Sequence, residues 1–180
     1  HAMASAVNML GDVHGGAGEQ CLEMMQQVKE LLDQGGRLEE SVSEEIANHR
    51  QTKGKYIPGF GHRFHKPEDP RAPRLMKLVS DAEGDKLVSG NFMRIGLEIQ
   101  RQLSQGKSTG IAMNIDGATA VIFGELGFAP PLARGLFCLS RSVGILAHAW
   151  EQKNQGGRNK GPTPPEFLWN YSGKNPLEEG

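Results

Sequence analysis

Apolar residues recur every three to four positions in several stretches of the chain, a spacing typical of one face of an α-helix. Residues 21–32 form the first such stretch, and a glycine pair follows it as a stop signal. A shorter helix is predicted over residues 41–51, where Ser41 and the Glu three positions later have the spacing of a capping box. The first helix has its apolar positions at Leu22, Met25, Val28 and Leu32.

Two further amphipathic helices are predicted in the middle of the chain, and each ends at a glycine. The helix over residues 71–84 has Leu75, Leu78 and Val79 on its apolar face. The helix over residues 91–106 has its apolar face at Phe92, Ile95, Ile99 and Leu103.

Residues 111–126 are apolar almost all round, which is compatible with a buried helix or a buried strand. We favour a helix, because Gly117, Ala118 and Ala120 allow another helix to approach closely. A long helix is predicted over residues 130–153, since two prolines suit its first turn and apolar residues follow at helical steps. These apolar residues are Leu132, Leu136, Leu139, Val143, Leu146 and Trp150.

No stretch shows the strict alternation of a strand, and the 24 glycines and 10 prolines lie mostly between the helical patterns. The sequence therefore predicts an all-α fold. With 20 basic and 21 acidic residues, the chain has no overall field that would favour nucleic acid or an anionic membrane. Its apolar runs are too short for a spanning helix, so we expect a soluble protein with no membrane and no nucleic-acid partner.

The two cysteines, Cys21 and Cys138, are far apart and suit neither a zinc knuckle nor a disulfide framework. The first ten residues lack the pattern of a signal peptide, and the expected location is cytoplasmic. A metal site is not expected, because His62 and His65 have no cysteine or carboxylate cluster beside them.

Three polar residues stand in unusual surroundings. Asp116 precedes a buried apolar run, so it must cap a helix, pair with a cation or have a function. His14 lies before a glycine pair, where the backbone can approach a ligand or turn tightly into a helix. His62 lies in the loop "PGFGHRFHKPEDPRA", whose prolines fix its course. Arg71 and Arg141 have the planar pair of donors that carboxylates bind.

Taken in order, "HGGA", "PGFGHRFHKPEDPRA", "NIDGATAVIFGELG" and "SRSVGILAHAWEQ" resemble the citrate synthase family, which includes related citryl-CoA-cleaving enzymes. The resemblance covers nearly the whole chain but only the second half of a usual member. It implies a homodimer, with residues 1–13 ending a large-domain helix, residues 14–127 forming the small domain and residues 128–180 returning to the large domain. On its own, such a chain is expected to lack a large-domain histidine needed for turnover.

The resemblance also implies a role for each unusual residue. His14 matches the histidine that stabilises the enolate of an acetyl thioester, Asp116 the base that removes the methyl proton, and His62 the acid that protonates the ketone. Arg71 and Arg141 match the arginines that hold the carboxylates of oxaloacetate or citrate. The coenzyme A thioester is a substrate and no cofactor is implied. Its binding loop matches Pro58, Gly59, Phe60, Gly61 and His62.

The tail departs from the family pattern, because Gly161 stands where an arginine is expected, with Arg158 and Lys160 as possible substitutes. Three functions therefore stay open: condensation of an acyl-CoA with a 2-oxo dicarboxylate, cleavage of citryl-CoA, and binding of coenzyme A without catalysis.

Overall fold

In the computed structural model, which describes residues 1–156 and residue 166, the described part of the chain forms seven α-helices and no strand. Only two isolated β-bridges occur there, and one of them pairs Phe60 with Met113. The helices are α1 (Ala2–Asn8), α2 (Ala17–Asp33), α3 (Leu38–Thr52), α4 (Arg71–Gly84), α5 (Asn91–Ser104), α6 (Ile115–Glu125) and α7 (Pro130–Asn154). The predicted all-α class is thus confirmed, and within the ambiguous run of residues 111–126 the helix covers Ile115–Glu125, while residues 111–114 precede it as a non-helical segment.

The capping box predicted at Ser41 is wrong. Helix α3 begins three residues earlier, after Arg37, whose backbone is extended, and Ser41 is a buried residue inside the helix. Its backbone N–H donates to the carbonyl oxygen of Arg37 at 2.9 Å, as in any helical turn. Glu39 and Glu40 lie in the first turn, where carboxylates interact favourably with the helix dipole, so the helix needs no serine cap.

Helices α2 and α6 form the centre of the core, and α3, α4 and α5 pack around them. Leu22, Met25 and Val28 on α2 are fully buried, as the apolar pattern predicts. Leu78 on α4 is an exception, since 57% of its surface is exposed while Val79 is buried. Helix α4 packs mainly against α6, so its contact face is narrower than the sequence pattern indicates.

The carboxylate of Glu125, at the end of α6, fixes the start of α5. Its oxygens accept hydrogen bonds from the backbone N–H groups of Gly90, Phe92 and Met93 at 2.9, 2.7 and 3.2 Å. These donors would otherwise lack a partner in the first turn of α5. The contact orients α5 against α6 across one end of the core.

His1–Leu146 forms one compact unit, which contains the helices α1 to α6 and most of α7. Within it, α7 buries Ala133 but leaves the side chains of Leu132, Leu139, Val143 and Leu146 exposed. A second unit begins at Ala147, where the ammonium group of Lys153 lies 5.8 Å from the ring centre of Trp150. Among the described residues, no helix combines the length and apolarity needed to cross a bilayer.

Candidate functional site

The loop over residues 57–65 is bound to the segment that precedes α6. The N–H of Gly61 donates to the carbonyl oxygen of Ala112 at 2.7 Å, and the N–H of Asn114 donates to that of Gly59 at 3.0 Å. The side-chain amide of Asn114 also donates to the carbonyl oxygen of Gly61 at 2.7 Å. The loop that carries His62 and the helix that carries Asp116 are therefore one connected structure.

This contact depends on glycine at two facing positions. Gly59 has a φ of +84°, and a Cβ atom there would lie 2.6 Å from the sulfur of Cys21 and 2.8 Å from the Cα of Gly117. A Cβ atom on Gly117 would in turn overlap the carbonyl oxygen of Gly59. The left-handed backbone and the close approach each favour glycine at position 59.

Asp116 lies in the first turn of α6 but does not cap the helix. The cap is Asn114, whose side-chain oxygen accepts from the N–H groups of Asp116 at 2.9 Å and Gly117 at 3.2 Å. The interpretation of Asp116 as an N-cap is therefore wrong. Its half-buried carboxylate takes no part in capping the helix and is available to bind another group. Burial raises the pKa of Asp116, although the charges of Arg141, Arg71 and His14 act against this shift.

Asp116 shares a cavity of about 170 Å³ with both predicted carboxylate-binding arginines, Arg71 and Arg141. The cavity lies between α6 and α7, and both charged and apolar side chains line it. The structure thus brings together three of the residues predicted from the sequence. The remaining lining residues include Thr119, Phe123, Leu136, Phe137 and Ser140.

Arg71 is held by a carboxylate that sequence reasoning missed. Its Nε and Nη2 groups donate to the two oxygens of Asp69 at 2.9 and 2.8 Å. Asp69 is only 1% exposed, and its pKa is well below its usual range because of the hydrogen bonds from Arg71. In the sequence, Asp69 has an acidic neighbour in a proline-rich loop and resembles an ordinary turn residue.

Phe137 on α7, a second residue missed in the sequence, lies between His14 and Arg141. The rings of His14 and Phe137 meet edge to face with centres 5.9 Å apart. The guanidinium carbon of Arg141 lies 4.7 Å from the centre of the same Phe137 ring. His14 itself is exposed and does not line the cavity, but it is close enough for its charge to affect Asp116.

The loop that contains His14 is anchored to α7 by Arg134. The guanidinium of Arg134 bonds to the carboxylates of Asp12, at 2.7 Å, and Glu19, at the start of α2. These contacts join the two ends of the loop that includes His14 to one residue of α7. Arg134 therefore fixes the position of the histidine relative to Phe137, which lies one turn further along the helix.

His62 does not line the cavity that Asp116 shares with the arginines. Its Nδ1 atom accepts hydrogen bonds from the backbone N–H groups of Phe64 at 3.1 Å and His65 at 3.0 Å. Because Nδ1 is an acceptor, a neutral ring must carry its proton on Nε2. The ring of His65 lies 4.4 Å away, centre to centre, and is exposed.

Phe60, in the predicted coenzyme A loop, lines a separate cleft of about 400 Å³. Ile57, Leu103 and Ile111 form its apolar wall, and the exposed ring of Tyr56 lies at the same cleft. Three cationic side chains also border it, those of Arg50, Lys55 and Lys107. The apolar wall of such a cleft suits an aromatic ring, and the cations at its edge suit phosphate groups attached to that ring.

The predicted departure at Gly161, with Arg158 and Lys160 as possible substitutes, lies outside the described residues. Within the described part of the chain, no group of three or more His, Cys, Asp and Glu side chains is placed to hold a metal ion.

Comparison with known proteins identifies the family. The profile described as "Citrate synthase, C-terminal domain" matches residues 1–162. Citrate synthase from Acidithiobacillus ferridurans is 30% identical over 91% of this chain, and the match spans 40% of that protein. The chain thus spans less than half the length of this relative.

Two solved structures share the fold. Citryl-CoA lyase from Hydrogenobacter thermophilus has a TM-score of 0.73 and 30% identity over 97% of this chain and 63% of its own. Citrate synthase from Thermotoga maritima has a TM-score of 0.63 and 29% identity over 94% of this chain and 44% of its own. The profile covers well over half of the sequence, so the resemblance drawn from the motifs is confirmed and the chain belongs to the citrate synthase family.

Proposed function

We propose that the protein carrying this chain condenses acetyl-CoA, or a related acyl-CoA, with oxaloacetate to form citrate. The observation that carries this proposal is that Asp116, Arg71 and Arg141 share one small cavity. A carboxylate beside two guanidinium groups suits a reaction in which a base acts next to a bound dicarboxylate. Family membership and the similarity to citrate synthases support the same assignment.

In this reaction Asp116 would remove a proton from the methyl group of the acetyl thioester. Burial raises the pKa of Asp116 above its ordinary value, which makes it a stronger base than an exposed aspartate. His14 would donate a hydrogen bond to the thioester oxygen and stabilise the enolate that forms. Its edge-to-face contact with Phe137 restricts the position of the ring, which supports this role.

The enolate carbon would then attack the ketone carbon of oxaloacetate, and the ketone oxygen would take a proton from His62. The backbone donors on Nδ1 support this role, since they leave the proton of the neutral ring on Nε2. Water would hydrolyse the resulting citryl thioester to citrate and free coenzyme A. Arg71 and Arg141 would hold the carboxylates throughout.

The coenzyme A thioester would bind along the loop of Pro58, Gly59, Phe60, Gly61 and His62. We propose that its nucleotide end occupies the cleft beside Phe60, where Arg50, Lys55 and Lys107 can neutralise phosphate charge. Tyr56 offers a face on which an adenine ring can stack. On this proposal the thioester is a substrate, and the residues above carry the chemistry without a cofactor.

Cleavage of citryl-CoA is a second candidate, and one observation favours it. The similarity to the Hydrogenobacter thermophilus citryl-CoA lyase covers more of both chains than the similarity to the Thermotoga maritima synthase does. The same residues would act in reverse, with Asp116 returning the proton to the methylene carbon of the departing acetyl group. We also propose a homodimer, as the family resemblance implies, and a cytoplasmic location, as the two widely separated cysteines suggest.

Product analysis by mass spectrometry tests these alternatives on this chain and on the longest form of the protein. One mixture contains acetyl-CoA and oxaloacetate, and the other contains citryl-CoA. Citrate and free coenzyme A from the first mixture would identify a synthase. Acetyl-CoA and oxaloacetate from the second, with the first mixture unreacted, would identify a lyase.

A matched variant and a third outcome complete the test. Asp116→Asn should abolish turnover and the exchange of acetyl methyl protons with solvent, while Asp81→Asn, on the exposed face of α4, should leave both unchanged. Binding of acyl-CoA with neither product nor proton exchange in any form of the protein would reject both reactions and identify a coenzyme A-binding module.

A further inference from the structure

Asp69 is a buried charge with an unusually complete set of partners. Its Oδ1 atom accepts from the backbone N–H and Nε of Arg71 at 3.1 and 2.9 Å. Its Oδ2 atom accepts from Nη2 of Arg71 at 2.8 Å and from the backbone N–H of Ile115 at 3.0 Å. Burying a carboxylate is costly unless it is fully paired, so this arrangement requires all three groups to keep their positions.

The contact restricts the guanidinium of Arg71. Asp69 binds the edge formed by Nε and Nη2, and the described contacts leave Nη1 without a partner. Because the guanidinium is planar and held at two points, the N–H groups on its free edge point in a fixed direction. Arg71 also lines the cavity, where it meets Asp116 and Arg141, and so its free donors are available to a ligand there.

The contact with Ile115 restricts the helix that carries the base. Ile115 is the first residue of α6, and its N–H is one of the donors that a helix start leaves without a partner. Asn114 accepts from the next two N–H groups, so Asp69 completes the set. One carboxylate therefore binds both the arginine and the residue that directly precedes Asp116.

We propose that Asp69 is a positioning residue, whose carboxylate sets the orientation of Arg71 relative to Asp116 and so couples binding of the dicarboxylate to placement of the base. The identity of the dicarboxylate rests on the proposed function, but the positioning does not. Asp69 also affects the charge at the site, because it partly offsets the cation next to Asp116. The charged groups that act on Asp116 are Arg141, Arg71, His14 and Asp69.

The test compares wild-type protein with Asp69→Asn, which keeps one acceptor oxygen but loses the charge and the second contact. Glu98→Gln is a matched control, because Glu98 on α5 binds Nε and Nη2 of Arg101 in the same two-point manner, at 2.7 Å each. The first readout is the NMR signal of the Nε–H of Arg71, whose exchange with water should be slow while Asp69 protects it. The second is the affinity for oxaloacetate by titration calorimetry.

In Asp69→Asn we expect the Nε–H signal of Arg71 to be lost to exchange and oxaloacetate to bind about tenfold more weakly. In steady-state kinetics the KM for oxaloacetate should rise while that for acetyl-CoA changes by less than about twofold. The acid limb of the profile of kcat/KM against pH should move to lower pH, because a negative charge near Asp116 is gone. Glu98→Gln should change none of these.

The two proposals fail in different ways. If the longest form of the wild-type protein neither binds oxaloacetate nor turns over, the proposed function is wrong, yet the Nε–H signal still tests the positioning. An unchanged Nε–H signal in Asp69→Asn, or an unchanged affinity where wild-type protein binds oxaloacetate, would overturn the role of Asp69. If Asp69→Asn does not fold, Asp69→Glu replaces it, since the longer side chain keeps the charge but cannot serve Arg71 and Ile115 together.

Discussion

The side-chain amide of Asn114 donates a hydrogen bond to the carbonyl oxygen of Gly61 at 2.7 Å. The oxygen of the same side chain accepts from the first turn of α6. One residue thus caps the helix that carries Asp116 and fixes the loop that carries His62. Replacing it should affect stability and the site together.

Asn114→Ala should lower the free energy of unfolding by about 2 kcal/mol, because the helix loses its cap and the carbonyl of Gly61 loses a donor. Asn114→Ser should restore much of this stability, since a serine oxygen can cap the helix, but it cannot reach Gly61. Urea unfolding measures both. Asn8→Ala is the control, because Asn8 is an exposed residue at the end of α1 and its replacement should change stability by less than about 0.5 kcal/mol. Equal losses in the Ala variants at positions 114 and 8 would contradict the double role.

The pH dependence of stability should reveal the raised pKa of Asp116. Burial raises its pKa in the folded protein, so the folded state holds a proton more tightly than the unfolded state does. Its contribution to stability is present below the unfolded pKa and is lost as the pH rises through the folded pKa. Asp116→Asn should therefore melt at a higher temperature than wild type at pH 7, and the difference should shrink toward pH 4. Thermal unfolding across this range is the measurement, and a variant that melts lower than wild type at pH 7 would refute the reasoning.

The contacts of Arg134 allow a test of how the His14 loop is held. Arg134→Met should lower the free energy of unfolding by about 1 to 3 kcal/mol, because Glu19 is largely buried and would lose its partner. If the longest form of the protein is active, the rate of methyl proton exchange should fall as well. Arg37→Met is the control, since Arg37 pairs with the exposed Glu40 and should cost less than about 0.5 kcal/mol. The idea fails if proton exchange is lost to the same extent in both variants.

The cationic cleft next to Phe60 gives a prediction for coenzyme A. Lys55→Glu should raise the KM for acyl-CoA about tenfold, and the effect should be larger at low salt, because a phosphate contact becomes a repulsion. Lys77→Glu changes the net charge equally but lies on the exposed face of α4, so its KM should stay near the wild-type value. Similar increases in both variants would indicate a general effect of charge rather than a subsite.

The apolar row on α7 predicts association between copies of this chain. Leu132, Leu139, Val143 and Leu146 are 48%, 66%, 74% and 60% exposed, and their spacing places them along one side of the helix. Leu139→Asp should shift sedimentation from dimer toward monomer. Leu87→Asp removes a leucine that is more exposed than Leu139 and lies outside the row, and it should leave the distribution unchanged. A monomeric wild-type chain at high concentration would rule out this interface.

Much of the fold could be predicted from the sequence because the helices bury a periodic apolar face. Helix α5 is an example, since Ile95, Ile99 and Leu103 are all buried as predicted. The start of α3 was misjudged because an extended backbone at Arg37 begins the helix without a side-chain cap. Leu78 was misjudged because the width of a contact face depends on the neighbouring helix, which periodicity does not report.

The candidate site was only partly predictable. The family motifs indicated Asp116, Arg71 and Arg141, and the structure places them at one cavity. Asp69 could not be recognised, because its importance comes from a hydrogen bond to Ile115, a residue 46 positions away. Phe137 is a similar case, since its role depends on a ring from a loop that lies far from α7 in the sequence. Contacts of this kind follow from packing and leave no local pattern.

The close approach of Gly59 and Gly117 limits how the loop and α6 beside the cavity of Asp116 can be redesigned. Any larger residue at either position meets backbone or the sulfur of Cys21. The contact between Gly59 of the loop and Gly117 of α6, here called the glycine seam, therefore requires glycine on both sides. The wall that α7 contributes to the cavity of Asp116 is different, because the side chains of Leu136 and Ser140 form part of it. A library intended to accept a different acid should therefore randomise α7 and keep the glycine seam fixed.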